Sequence, residues 1–393
     1  MMLGIFATQA QDRYLLIYEA DLGEHFGAEN LLLANHLWST LDKHFLPQHL
    51  FPEEKRWGNR FYRLGKLLLL DYPFAFVLPS LQHEYFGHGY RARQYGSRVT
   101  ELKITLPPPF QLETPHVRYK PILDRTAQEQ LVMTIAGVEA NSIFSEKIHR
   151  NVLLRESMDY HDALLYIYAN NDLTSYVTFG GDLGGDLNTY VASINGFYTK
   201  GELKKEKLFR YGILGILFDP LNYYAFASVF NYGWKGQAAT QTPFLSLHDQ
   251  VKYLPKISFH LTPFGPEVYL DNYLKIHSQL YAISFAVSDN TFEKFWRTRV
   301  RFWNVSLSGS LSLGGQMQLW QQPTLTILKD QQNVATEGVG GALIGRLNYD
   351  WQKAPVLGLM LEAGYKTGGF MQGERLDEGL IIRGGISVHL NTK

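Results

Sequence analysis

Over residues 303–313 the chain alternates without interruption. Trp303, Val305, Leu307, Gly309, Leu311 and Leu313 share one face, and Asn304, Ser306, Ser308, Ser310 and Ser312 share the other. A side-chain period of two belongs to extended backbone, so this segment is a two-faced strand. The pattern returns over residues 343–352, 357–365 and 380–390, and earlier over 268–276 and 280–287. About eight such segments, typically of nine residues or more, fill the chain beyond residue 250.

Strands this long and this strictly two-faced suit a transmembrane barrel, with one face to lipid and the other to a polar lumen. Trp303, Trp320, Tyr349 and Trp351 mark segment ends, where aromatic rings favour a membrane interface. In these features the C-terminal half resembles an outer-membrane-type β-barrel. A soluble antiparallel sandwich would alternate for the same geometric reason, usually with shorter strands.

Up to about residue 235 the apolar period is helical. Helices are expected over residues 30–44, 61–96 with a break near Pro73, 125–155, 160–170 and 206–232. The expected fold class is therefore α+β: a helical domain over 1–240 that carries a metal site, then an antiparallel β domain over 250–393, closed as a barrel of about eight strands. No run of 18 apolar residues is uninterrupted. Residues 65–82 and 208–234 come nearest, broken by Asp71 and Pro73 in one and by Arg210 and Asp219 in the other.

Composition narrows the partners. The 37 basic and 37 acidic residues cancel, which argues against nucleic acid. Aromatic residues make up 14% and charged residues 19%, a balance that leans towards a membrane or another large apolar interface. With no cysteine, neither disulfides nor thiolate-bound metal are available. Residues 1–10 read as the tail of a secretory signal, a short apolar run followed by small residues. Together these features predict a bacterial cell-envelope protein of the outer membrane.

The chemistry concentrates in Gln82-His83-Glu84-Tyr85-Phe86-Gly87-His88. A His-Glu-x-x-His helix presents two zinc ligands one turn apart, and its Glu activates the metal-bound water. Here one more residue separates the histidines. At about 100° per residue, an i,i+5 pair on a regular α-helix diverges by roughly 140°. A π-bulge would absorb the extra residue and bring the rings together, and Gly87 lies where backbone freedom helps. The reading preferred is His83 and His88 as ligands with Glu84 as base; the alternative aligns Glu84 with His88 and leaves His83 as a supporting group. Glu139 lies on a helical face with Ile135, Ala136 and Ile143, where a buried carboxylate requires a cation or a proton. It is the first candidate for a third ligand. The loop Gly180-Gly181-Asp182-Leu183-Gly184-Gly185-Asp186 reads as a mobile connection ending in an Asp helix cap.

The order Gly87-His88, Ala92-Arg93, Gly96 and a strand at residues 99–104 resembles the site-2 protease family of membrane metallopeptidases. Ala136-Gly137-Val138-Glu139-Ala140-Asn141 is similar to that family's Ala-Gly-Pro-x-x-Asn helix, without the Pro. The resemblance implies a membrane-associated zinc metallopeptidase acting on a peptide or protein substrate. It also implies an Asp ligand on a later apolar helix, where Asp219 stands in Leu217-Phe218-Asp219-Pro220. Glu139 and Asp219 thus remain alternative third ligands to Zn2+, or together complete the set. The competing reading is a non-catalytic outer-membrane barrel whose helical His/Glu cluster is structural or degenerate; a soluble zinc hydrolase with a β-sandwich is a third.

Overall fold

The computed structural model describes residues 13–120, 124–179, 185–198, 201–289, 294–329, 331–351 and 357–389. The stretch read as a secretory tail and glycines 180, 181 and 184 of the loop lie outside them. Strand β1 (Arg13–Tyr18) precedes helix α1 (Glu24–Phe45). A single helical path then runs from Arg56 to Gln94, 39 residues, as α2 (Arg56–Lys66), α3 (Tyr72–Leu81) and α4 (Gly89–Gln94). Two π-helical segments join them, Leu67–Asp71 and Gln82–His88. The hairpin β2 (Arg98–Lys103) and β3 (His116–Lys120) follows.

Helix α5 (Ala127–Arg155) is the axis of the molecule. Thr126 starts it with a capping box, its hydroxyl accepting from the Glu129 N–H while the Glu129 carboxylate accepts from the Thr126 N–H. It stops at Glu156, which takes a left-handed φ of 59°. Next come β4 (Ser157–Asp159), α6 (Tyr160–Asn170), α7 (Asp172–Phe179), α8 (Asp186–Phe197), α9 (Lys205–Leu217) and α10 (Pro220–Lys235). Strand β5 (Ala239–Gln241) pairs back to β4.

Nine further strands form an antiparallel meander: β6 (Leu245–His248), β7 (Val251–Thr262), β8 (Gly265–Ile276), β9 (Gln279–Ser288), β10 (Trp296–Ser306), β11 (Leu311–Lys329), β12 (Gln332–Asp350), β13 (Leu357–Lys366) and β14 (Gly379–His389). β1 adds to β14, giving one ten-stranded sheet. The architecture is thus a helical bundle followed by a large antiparallel sheet.

The expected barrel is not formed. The sheet runs in order from β1 to β6, and these two strands are its free edges. Sequence alternation reports that a strand has two different faces; it carries no information on whether the first and last strands meet. An eight-stranded barrel leaves room inside for little more than side chains. Here the inner face of the sheet instead packs on α5, which touches β7, β9 and β11, so a helix takes the place of a lumen. The outer-membrane address that rested on closure is corrected with it. Among the described residues one helix, Arg56–Gln94, is long and apolar enough to cross a membrane. The pair α9 and α10 qualifies as a second only if its 68° bend is counted within one span.

The core has two main parts. One lies among α1, α5, α6 and α10 around Leu32, Phe144, Tyr166 and Leu221. The other lies between α5, α8 and the sheet around Ile135, Tyr190, Leu325 and Phe370. The widened turn at Gln82–His88 sits against α5 beside both.

Candidate metal centre

The widened turn expected from the His83/His88 spacing is present as the π-helical segment Gln82–His88. Close helix crossing holds it in place. A Cβ on Gly87 would lie 2.6 Å from the Ala136 carbonyl oxygen, and one on Gly137 would lie 2.1 Å from His83 Nε2. Glycine at both positions is therefore what lets α5 approach and the His83 ring lie across it.

Both rings are buried, and each has its Nδ1 tied to an acceptor. His83 Nδ1 lies 3.0 Å from Asp172 Oδ2, and His88 Nδ1 lies 2.9 Å from the Met133 carbonyl oxygen. Asp172 is fixed in turn by the Asn141 amide, which donates to the same oxygen at 3.0 Å. With Nδ1 donating, the neutral ring presents a lone pair at Nε2. Both Nε2 atoms point at one carboxylate oxygen, Asp186 Oδ2, at 3.2 Å from His83 and 2.9 Å from His88. Ligand atoms of a tetrahedral site with bonds of about 2.0–2.1 Å stand roughly 3.3 Å apart, so these separations suit a shared ion. Burial favours the neutral acid at Asp186, but the two imidazoles outweigh it and hold its carboxyl below the usual range. Glu84, also buried, interacts electrostatically with both rings. His83, His88 and Asp186 thus form one group that could hold a divalent ion.

A second such group is Asp42, Asp71 and His161. Its setting differs: the Lys66 ammonium lies 2.8 Å from each of the two carboxylates and 2.6 Å from the Tyr160 hydroxyl.

The other two candidate ligands lie in separate networks. Glu139 receives Arg91 at 2.7 Å and the Gly373 N–H at 2.7 Å. Asp219 caps α10 through the Leu221 N–H, receives Asn170 and the Tyr166 hydroxyl, and pairs with Lys256 at 3.2 Å. Each buried carboxylate did need a cation, and in each case a basic side chain supplies it. Sequence reasoning passed over Asp172, which carried no signal, and took Asp186 for a cap. The signal available for Asp186 was an acid closing a glycine-rich loop.

Asp172 also lines a polar cavity between the helices and the inner face of the sheet, with Ser142, Glu146, Asn170, Lys256 and Arg299. The cavity leads from the strands β7 and β8 to the residue that orients His83.

No family model, no curated protein and no solved structure matches the chain. The open sheet overturns the expected likeness to a barrel of the outer-membrane type, and with it the recognition that joined such a barrel to a site-2 protease-like half. Of the positions that suggested it, Glu139 pairs with Arg91 and Asp219 caps a helix.

Proposed function

We propose that the chain is a zinc-dependent hydrolase that cleaves peptide bonds, with His83, His88 and Asp186 as its metal ligands and Glu84 as its general base. The observation that carries this reading is the convergence of both Nε2 atoms and one carboxylate oxygen at a single point, with both Nδ1 atoms already engaged. A divalent cation can take the place of the protons that the two rings would otherwise share with Asp186. Imidazole and carboxylate are donors that zinc accepts.

Held by His83, His88 and Asp186, a zinc ion would supply a water with a pKa of ~7 and a Lewis acid for the scissile carbonyl. The residues divide the remaining work. Asp172, steadied by Asn141, fixes the tautomer and tilt of His83, and the Met133 carbonyl does the same for His88. Glu84 takes a proton from the attacking water and returns it to the leaving amine.

Purified protein is expected to carry one zinc per chain by elemental analysis. Glu84→Gln should keep that zinc and lose peptidase activity by about 10²–10⁴-fold. Full activity in the variant, or no stoichiometric metal in the parent, defeats the reading; the latter result would leave the histidines as a charged pair held by Asp172 and Asp186.

A further inference from the structure

The sheet distributes its side chains opposite to a sheet that faces water. Its inner face, towards α5, carries charge: Lys256, Asp271, Arg297, Arg299, Glu362 and Arg383 are all buried there. These groups are matched, for example Arg297 to Glu267 at 2.9 Å, Arg383 to Glu362 at 2.8 Å and Arg299 to Glu146 of α5 at 2.9 Å. The outer face is apolar. The strand registers place Leu270, Phe285, Met317, Leu343, Leu361 and Ile382 on it, and each is exposed. Along the paired rows from β8 to β14, this face carries no Asp, Glu, Lys or Arg; its polar side chains include Asn272, Gln279, Thr298 and Gln321.

The apolar surface does not stop at the open edges. Helix α1 packs against β1, and α9 and α10 pack against β7, next to the other edge. Between them α2 packs on α10. These helices expose Leu41, Phe61, Phe226 and Phe230, with Leu68 and Leu69 beside them on the π-helical segment. The two free edges of the sheet are therefore flanked by helices that continue the same surface.

We propose that this surface is a belt immersed in the acyl chains of a lipid bilayer, an open sheet completed by helices rather than closed by strand pairing. Three observations favour lipid over a second protein copy. The face lacks the charged rim of a protein interface. It spreads over seven consecutive strands and on to helices at both edges, more than one flat partner can cover. The strands β8, β9, β10, β13 and β14 are 10–12 residues long. At about 3.3 Å per residue and with a tilt near 45°, that length matches a hydrocarbon layer of roughly 25–30 Å. This inference uses none of the observations behind the metal site and stands apart from it.

The chain has no cysteine, so single labels are unambiguous. Nitroxide attached at Phe285→Cys, Leu343→Cys and Leu361→Cys, with Glu113→Cys as a water-exposed control, is read in phosphatidylcholine vesicles. Belt labels should collide several-fold more with oxygen than with a water-soluble nickel chelate, and the control should show the reverse. Flotation of the unlabelled full chain with the same vesicles covers the case of a variant that does not fold. Nickel-accessible belt labels in floated protein overturn the proposal. So does a detergent-free, monodisperse monomer, or a detergent-free dimer whose belt labels lie against each other.

Discussion

Two buried clusters of histidine and aspartate sit on the same 39-residue helical path, each delivered by a π-helical segment. Leu67–Asp71 brings Asp71 towards Asp42 and His161; Gln82–His88 brings His83 and His88 towards Asp186. The difference between them is one amine. In the first cluster the Lys66 ammonium already lies between two carboxylates, and Lys43 neutralises Asp159, the partner of His161, at 2.7 Å. In the second, the groups that pair with the carboxylates are the two imidazoles themselves, His83 with Asp172 and both rings with Asp186. A donor set alone does not mark a metal site. A lysine ammonium lodged in the set competes with a metal ion, whereas imidazoles can give up their protons to one.

The comparison breaks most sharply at Lys66. Replacing it by Met leaves two acids buried with one imidazole, and should cost about 3–5 kcal/mol in a denaturation series. With the His83, His88 and Asp186 site already loaded with zinc, added magnesium should raise the stability of Lys66→Met and leave the parent chain unchanged; an equal rise in both would erase the distinction. A smaller effect tests the support of the other cluster. Asp172→Asn keeps the size of the side chain but weakens its hold on His83, and should lower zinc affinity by about 10–100-fold in a competition titration with a coloured chelator. Unchanged affinity would mean that His83 is oriented by packing alone. The smallest expected change comes from Gly137→Ala. Its methyl group meets His83 Nε2, so the ring must shift, and hydrolysis should fall more than global stability does.

Legibility differed between these parts for physical reasons. His83 and His88 stood out because the wrong helical spacing demanded a particular backbone remedy, and the π-helical segment is that remedy. Glu139 and Asp219 stood out because an acid on an apolar face must be neutralised. Sequence cannot say by what, and Arg91 and Lys256 are far from them along the chain. Asp186 looked like a cap since it opens a helix after glycines, which is also how a short loop swings a carboxylate into a site. The faces of strands such as β12 and β13 were readable from alternation. Closure was not, because it depends on what fills the concave side, and that filler is α5.

The pairing of β1 with β14 has a consequence for how the molecule is made. Arg383 on β14 reaches Glu19, just past β1, across 364 positions of sequence. Contacts of such long range give little reward until nearly the whole polypeptide has emerged, so loop-closure entropy is met late. Contacts within the helical part close shorter loops and are expected to form first, with Glu146 and Asp219 then meeting Arg299 and Lys256 of the sheet. Strands arriving one hairpin at a time then zip on to that template, and the last of them captures the first.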